Sequence, residues 1–334
     1  MKAKIIFIKS LMITLLILTG CGNMFTKNKT KFDWVAQESA PREFPMRVVD
    51  GTFYYYNENH GLYVPTAASI TSGWGSGSST HVVGDQFKAL PDRVDIRFYS
   101  FWENKLYHGS FDLPYEKILA LFKEGVARNR DYPIFNGIVV GMAPGGAVAV
   151  WVVGRENREV FFGYAKPYDA DMRDPMGTPI DNTKEYAERN LKYLPPDIYA
   201  KIKKEGVPFG IWEKYRKPYP WSFSSTPDRE IGSFGVSFFN GESYRINTPF
   251  EPNYAKKPVP SGIVFTTLFP NDKKKYVYGI NFNYQETDEV MQKLSDGSRE
   301  VTVIINPTLP KTSSTISLTN GKETIVLKKI THDD

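Results

Sequence analysis

The stretch GMAPGGAVAVWVVG, residues 141–154, decides how this chain is expected to fold. A glycine-rich loop that holds phosphate opens a helix, whose free N–H groups and dipole bind the anion. Here Gly146 is followed by AVAVWVV, a strand sequence, and the stretch has no Lys-Ser or Lys-Thr pair. Ala143–Gly146 instead suits a type II turn, with Pro in second place and Gly in third, where φ must be positive. The stretch therefore predicts a β-hairpin with Trp151 in the core, not a nucleotide site.

The remainder of the chain is also rich in strand patterns. Aromatic residues make up 14% of it, which favours sheets. Strands are predicted at 47–56, 93–101, 105–111, 137–142, 147–153 and 159–166, and later at 276–284, 301–305, 314–319 and 324–330. Three helices are predicted, at 113–125, 196–206 and 286–296. Asn240-Gly241 predicts a two-residue hairpin turn between 236–239 and 242–246.

These elements predict an α+β fold of two strand-rich modules, with antiparallel sheets each covered by a helix. Residues 169–189 are polar and punctuated by Pro and Gly, so we expect a linker there, between an N-terminal module at 32–168 and a C-terminal module at 190–330. In both modules the predicted elements follow the same order: strand, helix, strand, strand, strand. A structural duplication is one explanation of this order, and weak residue identity between the halves leaves it open.

The N-terminus has the layout of a secretory leader. Three lysines and no acid precede an apolar run, Leu11–Leu18, that is too short to span a bilayer. The run ends in LTGC, which resembles the lipobox of bacterial lipoproteins. This resemblance implies that residues 1–20 are removed, that Cys21 carries the lipid and that 21–31 form a tether. Gly22 after the cysteine implies outer-membrane sorting, facing the periplasm; the alternative is an ordinary leader that includes the cysteine.

Charge and motif content point away from several functions. Removing residues 1–20 lowers the net charge from +5 to +2, so we expect no nucleic-acid partner. The four histidines are isolated, and Asp169, Asp171 and Asp174 lack the spacing of a calcium loop, so no metal is expected. No cofactor motif and no serine-hydrolase motif is found, so no catalytic residue is assigned. Paired carboxylates stay open, because their spacing is spatial.

The loop TSGWGSGSST, residues 71–80, is the most distinctive polar segment. Trp74, flanked by Gly73 and Gly75, is its only large apolar residue, and we name these three as candidate binding residues. The alternative is that Trp74 tucks back and pins the loop.

Several phrases resemble the bacterial lipoproteins grouped as domain of unknown function 2931: GWG (73–75), LPDR (90–93), SFWENKLY (100–107), FDLP (111–114), VGMAPGG (140–146) with Trp151, and FNGE (239–242). The resemblance implies lipid anchoring and carries no catalytic residue. Members resemble lipoproteins found near secretion-system effector genes, which implies an immunity or binding role.

We therefore expect a non-enzymatic lipoprotein whose partner is another protein, with a secreted effector as the specific candidate. Two alternatives stay open. One is an envelope hydrolase with dispersed carboxylates, and the other is a glycan-binding module that uses Trp74 and surface tyrosines.

Overall fold

The computed structural model describes residues 30–226, 230–269, 272–296 and 298–333. The leader, Cys21 and most of the expected tether lie outside these ranges. Within them the fold is α+β and strand-rich, as predicted. No helix of the described part of the chain is long and apolar enough to cross a membrane.

The chain before residue 218 forms strands and helices that we number in order. The strands are β1 Lys31–Asp33, β2 Val35–Ser39, β3 Met46–Tyr55, β4 Gly61–Tyr63, β5 Phe87–Ala89, β6 Pro91–Ser100, β7 Lys105–Asp112, β8 Phe135–Ala143, β9 Ala147–Gly154, β10 Asn157–Tyr164 and β11 Lys166–Tyr168. The helices are α1 Tyr115–Arg128, α2 Thr183–Leu191, α3 Pro196–Glu205 and the short α4 Ile211–Lys214.

The chain after residue 218 adds ten strands and one helix. The strands are β12 Tyr219–Ser225, β13 Glu230–Phe238, β14 Ser243–Ile246, β15 Lys256–Lys257, β16 Pro260–Phe269, β17 Asp272–Asn281, β18 Val301–Asn306, β19 Thr315–Thr319, β20 Thr324–Val326 and β21 Thr331–His332. The helix is α5 Tyr284–Ser295. All three predicted helices are confirmed within a few residues, and α2 and α4 were not predicted.

The hairpin predicted from the opening stretch is confirmed. Strands β8 and β9 pair antiparallel from Ala143↔Ala147 outward. Gly145 has φ 76°, the left-handed conformation that the third residue of a type II turn requires. Trp151 is fully buried. The local sequence therefore specified both the turn and the strand that follows it.

The second hairpin differs from its prediction in length. Strands β13 and β14 are antiparallel, and the connection between them spans residues 239–242 instead of two residues. The backbone N–H of Phe238 still donates to the carbonyl of Glu242 at 2.9 Å. Within this connection the Asn240 side chain donates to two carboxylates, those of Glu159 and Glu242.

Both halves of the chain pair their strands in the same order. The first half has a sheet β2-β8-β9-β10 and a sheet β11-β7-β6-β3-β4. In the second half, β12-β18-β19-β20 corresponds to the former, with β15 added beside β12, and β21-β17-β16-β13-β14 corresponds to the latter. The helix stands at the same place in each half, after the strand at 105–112 or 272–281. The fold is thus a structural repeat.

Two strand pairs correct the expectation of purely antiparallel sheets. Strand β2 runs parallel to β8, and the equivalent β12 runs parallel to β18. In each half the parallel partners are separated by several strands and a helix, the kind of long connection that parallel pairing requires.

Helix α1 covers the first core, as predicted. Ile118, Leu119 and Phe122 are buried on its inner face at helical spacing. The ring of Phe122 lies 5.2 Å from that of Phe32 in β1. In the second half α5 buries Met291 and Leu294 in the corresponding core.

The hydrophobic cores divide the chain between Tyr215 and Tyr219, whereas we expected the joint at 169–189. Within 169–189, Tyr186 and Ala187 of α2 pack with Tyr99 of the first half. Residues of α3 and α4 that were expected in the C-terminal module also pack on the first core. The polar composition of this region concealed the few apolar residues that dock each helix.

The two halves are joined edge to edge. Strand β10 of the first half pairs with β14 of the second at Asn157↔Ser243, so that two sheets become one nine-stranded sheet. The joint is the place where side chains from both halves meet, and the loop that carries Trp74 lies against it.

Candidate functional site

Trp74 is tucked against the joint and is half-buried. Its ring centroid lies 4.9 Å from Trp151 in an edge-on arrangement and 5.3 Å from Trp212 in α4. The ring therefore bridges the central sheet of the first half and the short helix that leads to the second. Trp74 therefore packs back against the protein and pins its loop, which is the second of the two alternatives expected from the sequence. One side of its ring still faces a cleft.

The two glycines beside Trp74 hold the loop in place against its neighbours. Gly73 donates its N–H to the carbonyl of Ala40 at 2.9 Å. Gly75 is buried, and a Cβ added there would lie 2.7 Å from the carbonyl oxygen of Gly241 in the second half. The side chain of Asn157 donates to the carbonyl of Gly75 at 3.1 Å. Only glycine allows the loop to approach the second half this closely.

A cleft of about 310 Å³ opens beside Trp74, and we call it the joint cleft. It is lined by Pro41, Arg42, Glu43, Phe44, Gly73, Trp74, Pro208, Trp212, Tyr215, Phe238, Phe239 and Ser261. Its size falls at the small end of the range of small-molecule pockets, roughly 300–1,000 Å³. The first half, α4 and the second half all contribute to its wall.

Aromatic rings in edge-on and tilted contact form that wall. Trp212 lies edge-on to Phe44 at 5.8 Å, and Tyr215 lies 5.3 Å from Phe239. Tyr284 of α5 lies 4.7 Å from Tyr215 and backs the ring cluster. At the mouth, Arg42 and Glu43 are exposed. The cleft thus combines an aromatic wall with a charged rim.

Two indole N–H groups of the wall are buried without a hydrogen-bond partner among the described residues. They belong to Trp74 and Trp212, and Trp212 as a whole is only 3% exposed. A buried donor left unpaired costs roughly 1–3 kcal/mol. Such donors are rare in folded proteins, and here neither nitrogen atom reaches the surface of the cleft.

A buried ionic network lies at the same joint. Arg216 donates to Glu159 at 2.6 Å. Asn240 donates to Glu159 at 3.0 Å and to Glu242 at 3.1 Å, so that one amide links the two carboxylates. The network connects β10 of the first half with the β13–β14 connection of the second.

The pKa of Glu159 is raised to about 7. Burial is the largest cause, and the nearby charge of Glu242 adds to it, while Arg216 and Asn240 act in the opposite direction. Desolvation also lowers the pKa of Arg216, so burial opposes the charge on both members of the pair. The joint therefore contains a carboxyl group that titrates near neutral pH.

Two of the histidines and Asp174 have local structural partners. His81 meets the hydroxyl of Tyr63 at 2.9 Å, and His108 meets Asp95 at 3.0 Å. Asp174 accepts the N–H groups of Met176 and Thr178, both at 2.8 Å, which closes a turn in the predicted linker. In the ranges that the structure describes, no group of three His, Cys, Asp or Glu side chains could hold a metal ion.

Sequence reasoning found Trp74, Gly73 and Gly75 but missed the partners of Trp74 in the wall. The predicted boundary assigns Trp212 and Tyr215 to the C-terminal module, whereas both pack on the first core. Phe239 stands beside the Asn240-Gly241 step, and the phrase FNGE was noted only for its resemblance and its turn. The signal for Trp212 and Tyr215 was the IWEKY stretch at 211–215, aromatic residues within an otherwise polar region.

Comparison with known proteins gives one family. The family described as "Protein of unknown function (DUF2931)" matches residues 23–210, more than half of the chain. No curated protein and no solved structure matches. The matched region contains the Trp74 loop, the opening hairpin and β10, and the family description assigns no reaction to it. The chain therefore belongs to the DUF2931 family.

Proposed function

We propose that this protein is a lipid-anchored binding protein without enzymatic activity, and that its partner is another protein, which it engages at the joint cleft. The observation that carries the proposal is the aromatic cleft at the joint, walled by Trp74, Trp212 and Tyr215 and rimmed by the exposed Arg42 and Glu43. Buried Trp and Tyr clusters of this kind are typical anchor sites for a partner side chain.

The proposed place is the periplasmic face of the outer membrane, with Cys21 as the anchor. Support comes from the LTGC sequence followed by Gly22. In this setting the partner would be a secreted effector, and the protein would act as an immunity protein. Such a role needs complementary shape and charge and no group with a tuned pKa.

A second candidate, a glycan ligand, is favoured by the same aromatic wall. An apolar sugar face would pack on one of its rings, and the sugar hydroxyls would meet the charged rim. The volume of about 310 Å³ admits a small group of either kind.

Affinity capture from periplasmic extract tests the protein partner. Trp74 packs in the joint, so its removal would also loosen the fold, and the exposed rim gives a cleaner variant. The double variant Arg42→Glu with Glu43→Arg exchanges the rim charges, and Arg130→Glu with Asp131→Arg is a matched exchange at an exposed site away from the cleft. We expect a one-to-one partner whose affinity falls by about tenfold or more with the rim exchange only.

Tryptophan fluorescence during titration with N-acetylglucosamine oligomers tests the glycan candidate. Ser261→Phe would fill the cleft, and Ser237→Phe places the same side chain on an exposed strand position as a control. Saturable binding that is lost only with Ser261→Phe would favour the glycan. Hydrolysis of peptidoglycan by the purified protein, abolished by Glu159→Gln or Glu242→Gln, would contradict both binding roles.

A further inference from the structure

A second pocket, of about 400 Å³, lies in the first half and shares no lining residue with the joint cleft. It opens between β3, β7 and the segment that follows β11. Apolar atoms of Leu106 and Met172 form part of its wall, and Arg47 of β3 lies among them.

Arg47 is the unusual residue of this pocket. Its residue is only 6% exposed, and charged side chains are seldom buried to this extent unless they are paired. One N–H donates to the hydroxyl of Tyr186 at 3.3 Å, and the guanidinium carbon lies 5.9 Å from the ring of the same residue. None of the ion pairs found across residues 30–226, 230–269, 272–296 and 298–333 includes Arg47.

The carboxylates of Asp50 and Asp174 have partners other than Arg47. Asp50 of the same strand pairs with Arg97 at 2.9 Å. Asp174 lies close enough for Arg47 to act on its charge, but one of its carboxylate oxygens already accepts two backbone N–H groups. A planar guanidinium with free donors is suited to two-pronged binding of a carboxylate.

The rim restricts which anion would fit. Asp171 and Asp174 line the same pocket, together with Arg173, which donates to the carbonyl of Gly177. A phosphate dianion would meet these two carboxylates at close range and would be repelled. A ligand that carries one carboxylate and one amine would satisfy Arg47 and the acidic rim at once.

We propose that this pocket binds a small zwitterion, such as an amino acid or the end of a short peptide, with its carboxylate on Arg47 and its amine toward Asp171 and Asp174. Leu106 and Met172 would contact an apolar side chain of the ligand. This site is independent of the joint cleft and of the partner proposed there.

The test is a titration of the full-length mature protein with L-leucine, followed by the side-chain N–H resonances of its arginines in NMR spectra. Three probes serve as comparisons. N-acetyl-L-leucine lacks the free amine, L-leucine amide lacks the carboxylate, and inorganic phosphate is a different anion. We expect L-leucine to shift the Arg47 resonance saturably and the three other probes to bind several-fold more weakly.

Variants separate the two charged contacts. Arg47→Met is expected to weaken L-leucine binding by about tenfold to a hundredfold, and far-ultraviolet circular dichroism checks its fold. Asp171→Asn, at an exposed position, should weaken L-leucine binding and strengthen N-acetyl-L-leucine binding, while the exposed Asp181→Asn should change neither. The proposal is overturned if L-leucine leaves Arg47 unshifted, or if phosphate or the amide binds as tightly as L-leucine.

Discussion

The indole N–H of Trp151 donates to the carbonyl oxygen of Asn240 at 3.1 Å, across the joint between the two halves. Trp151 is fully buried in β9, and Asn240 lies in the β13–β14 connection. Because Asn240 also binds Glu159 and Glu242, this hydrogen bond ties the centre of the first sheet to the ionic network of the joint.

Trp151→Phe is expected to lower the free energy of unfolding by about 2–4 kcal/mol, because it leaves a buried carbonyl unpaired and opens a small cavity. Urea unfolding measures the change. Trp102→Phe is the matched control, because Trp102 also donates to a backbone carbonyl, that of Glu43, but at the surface. If both substitutions lower the free energy of unfolding equally, the Trp151–Asn240 hydrogen bond stabilises the fold no more than the surface hydrogen bond of Trp102.

Glu159→Gln is expected to change how stability depends on pH. The folded protein keeps the Glu159 proton up to a pKa of about 7, whereas the unfolded chain releases it near the ordinary value of 4.5. Between these values the folded state binds more protons, so the free energy of unfolding falls as pH rises. The decline should be complete above the folded pKa.

Unfolding midpoints in urea, compared between about pH 5 and about pH 7.5, measure this slope. Glu159→Gln should flatten the dependence of the midpoint on pH. Glu188→Gln, at an exposed position on α2, should leave this dependence as in the wild type. A wild-type slope in the Glu159→Gln variant would exclude Glu159 as its source.

Leu119→Ala and Phe122→Ala are each expected to lower the free energy of unfolding by roughly 2–5 kcal/mol, because both side chains are buried on the inner face of α1. Leu121→Ala on the same helix is the control, because Leu121 is only partly buried. Thermal or urea unfolding gives the difference. Equal effects at positions 119 and 121 would contradict the packing of this helix face.

Trypsin is expected to cut first at Arg173, in the segment between β11 and α2. Arg173 is exposed, and Met176 in the same turn is 89% exposed. The two fragments should stay associated under native conditions, because β11 and α2 both pack on the first half. First cleavage within 137–166 would contradict this expectation.

Cys21→Ser is expected to release the protein from membranes or to leave the leader uncut. The reason is that lipid attachment requires the thiol at the end of LTGC. Membrane fractionation and the apparent mass of the protein are the measurements. If both are unchanged, Cys21 is not the anchor.

The local elements follow from residues that are close together in the chain. Pro144-Gly145 and the alternating β-branched run after Gly146 are enough to specify a hairpin, and the spacing of Ile118, Leu119 and Phe122 is enough to specify a helix. These features depend on neighbours a few residues away, where backbone sterics and side-chain periodicity act directly.

The joint and its cleft depend on contacts between residues that are far apart in the chain. Arg216 pairs with Glu159 across 57 residues, and Trp74 meets Trp212 from a loop that is equally compatible with an exposed ring. The polar region at 169–189 conceals a docked helix, because three apolar residues are enough to attach it. The physical reason is that long-range contacts are selected by the packing of surfaces that exist only after both halves have folded, and no short window of sequence contains both surfaces.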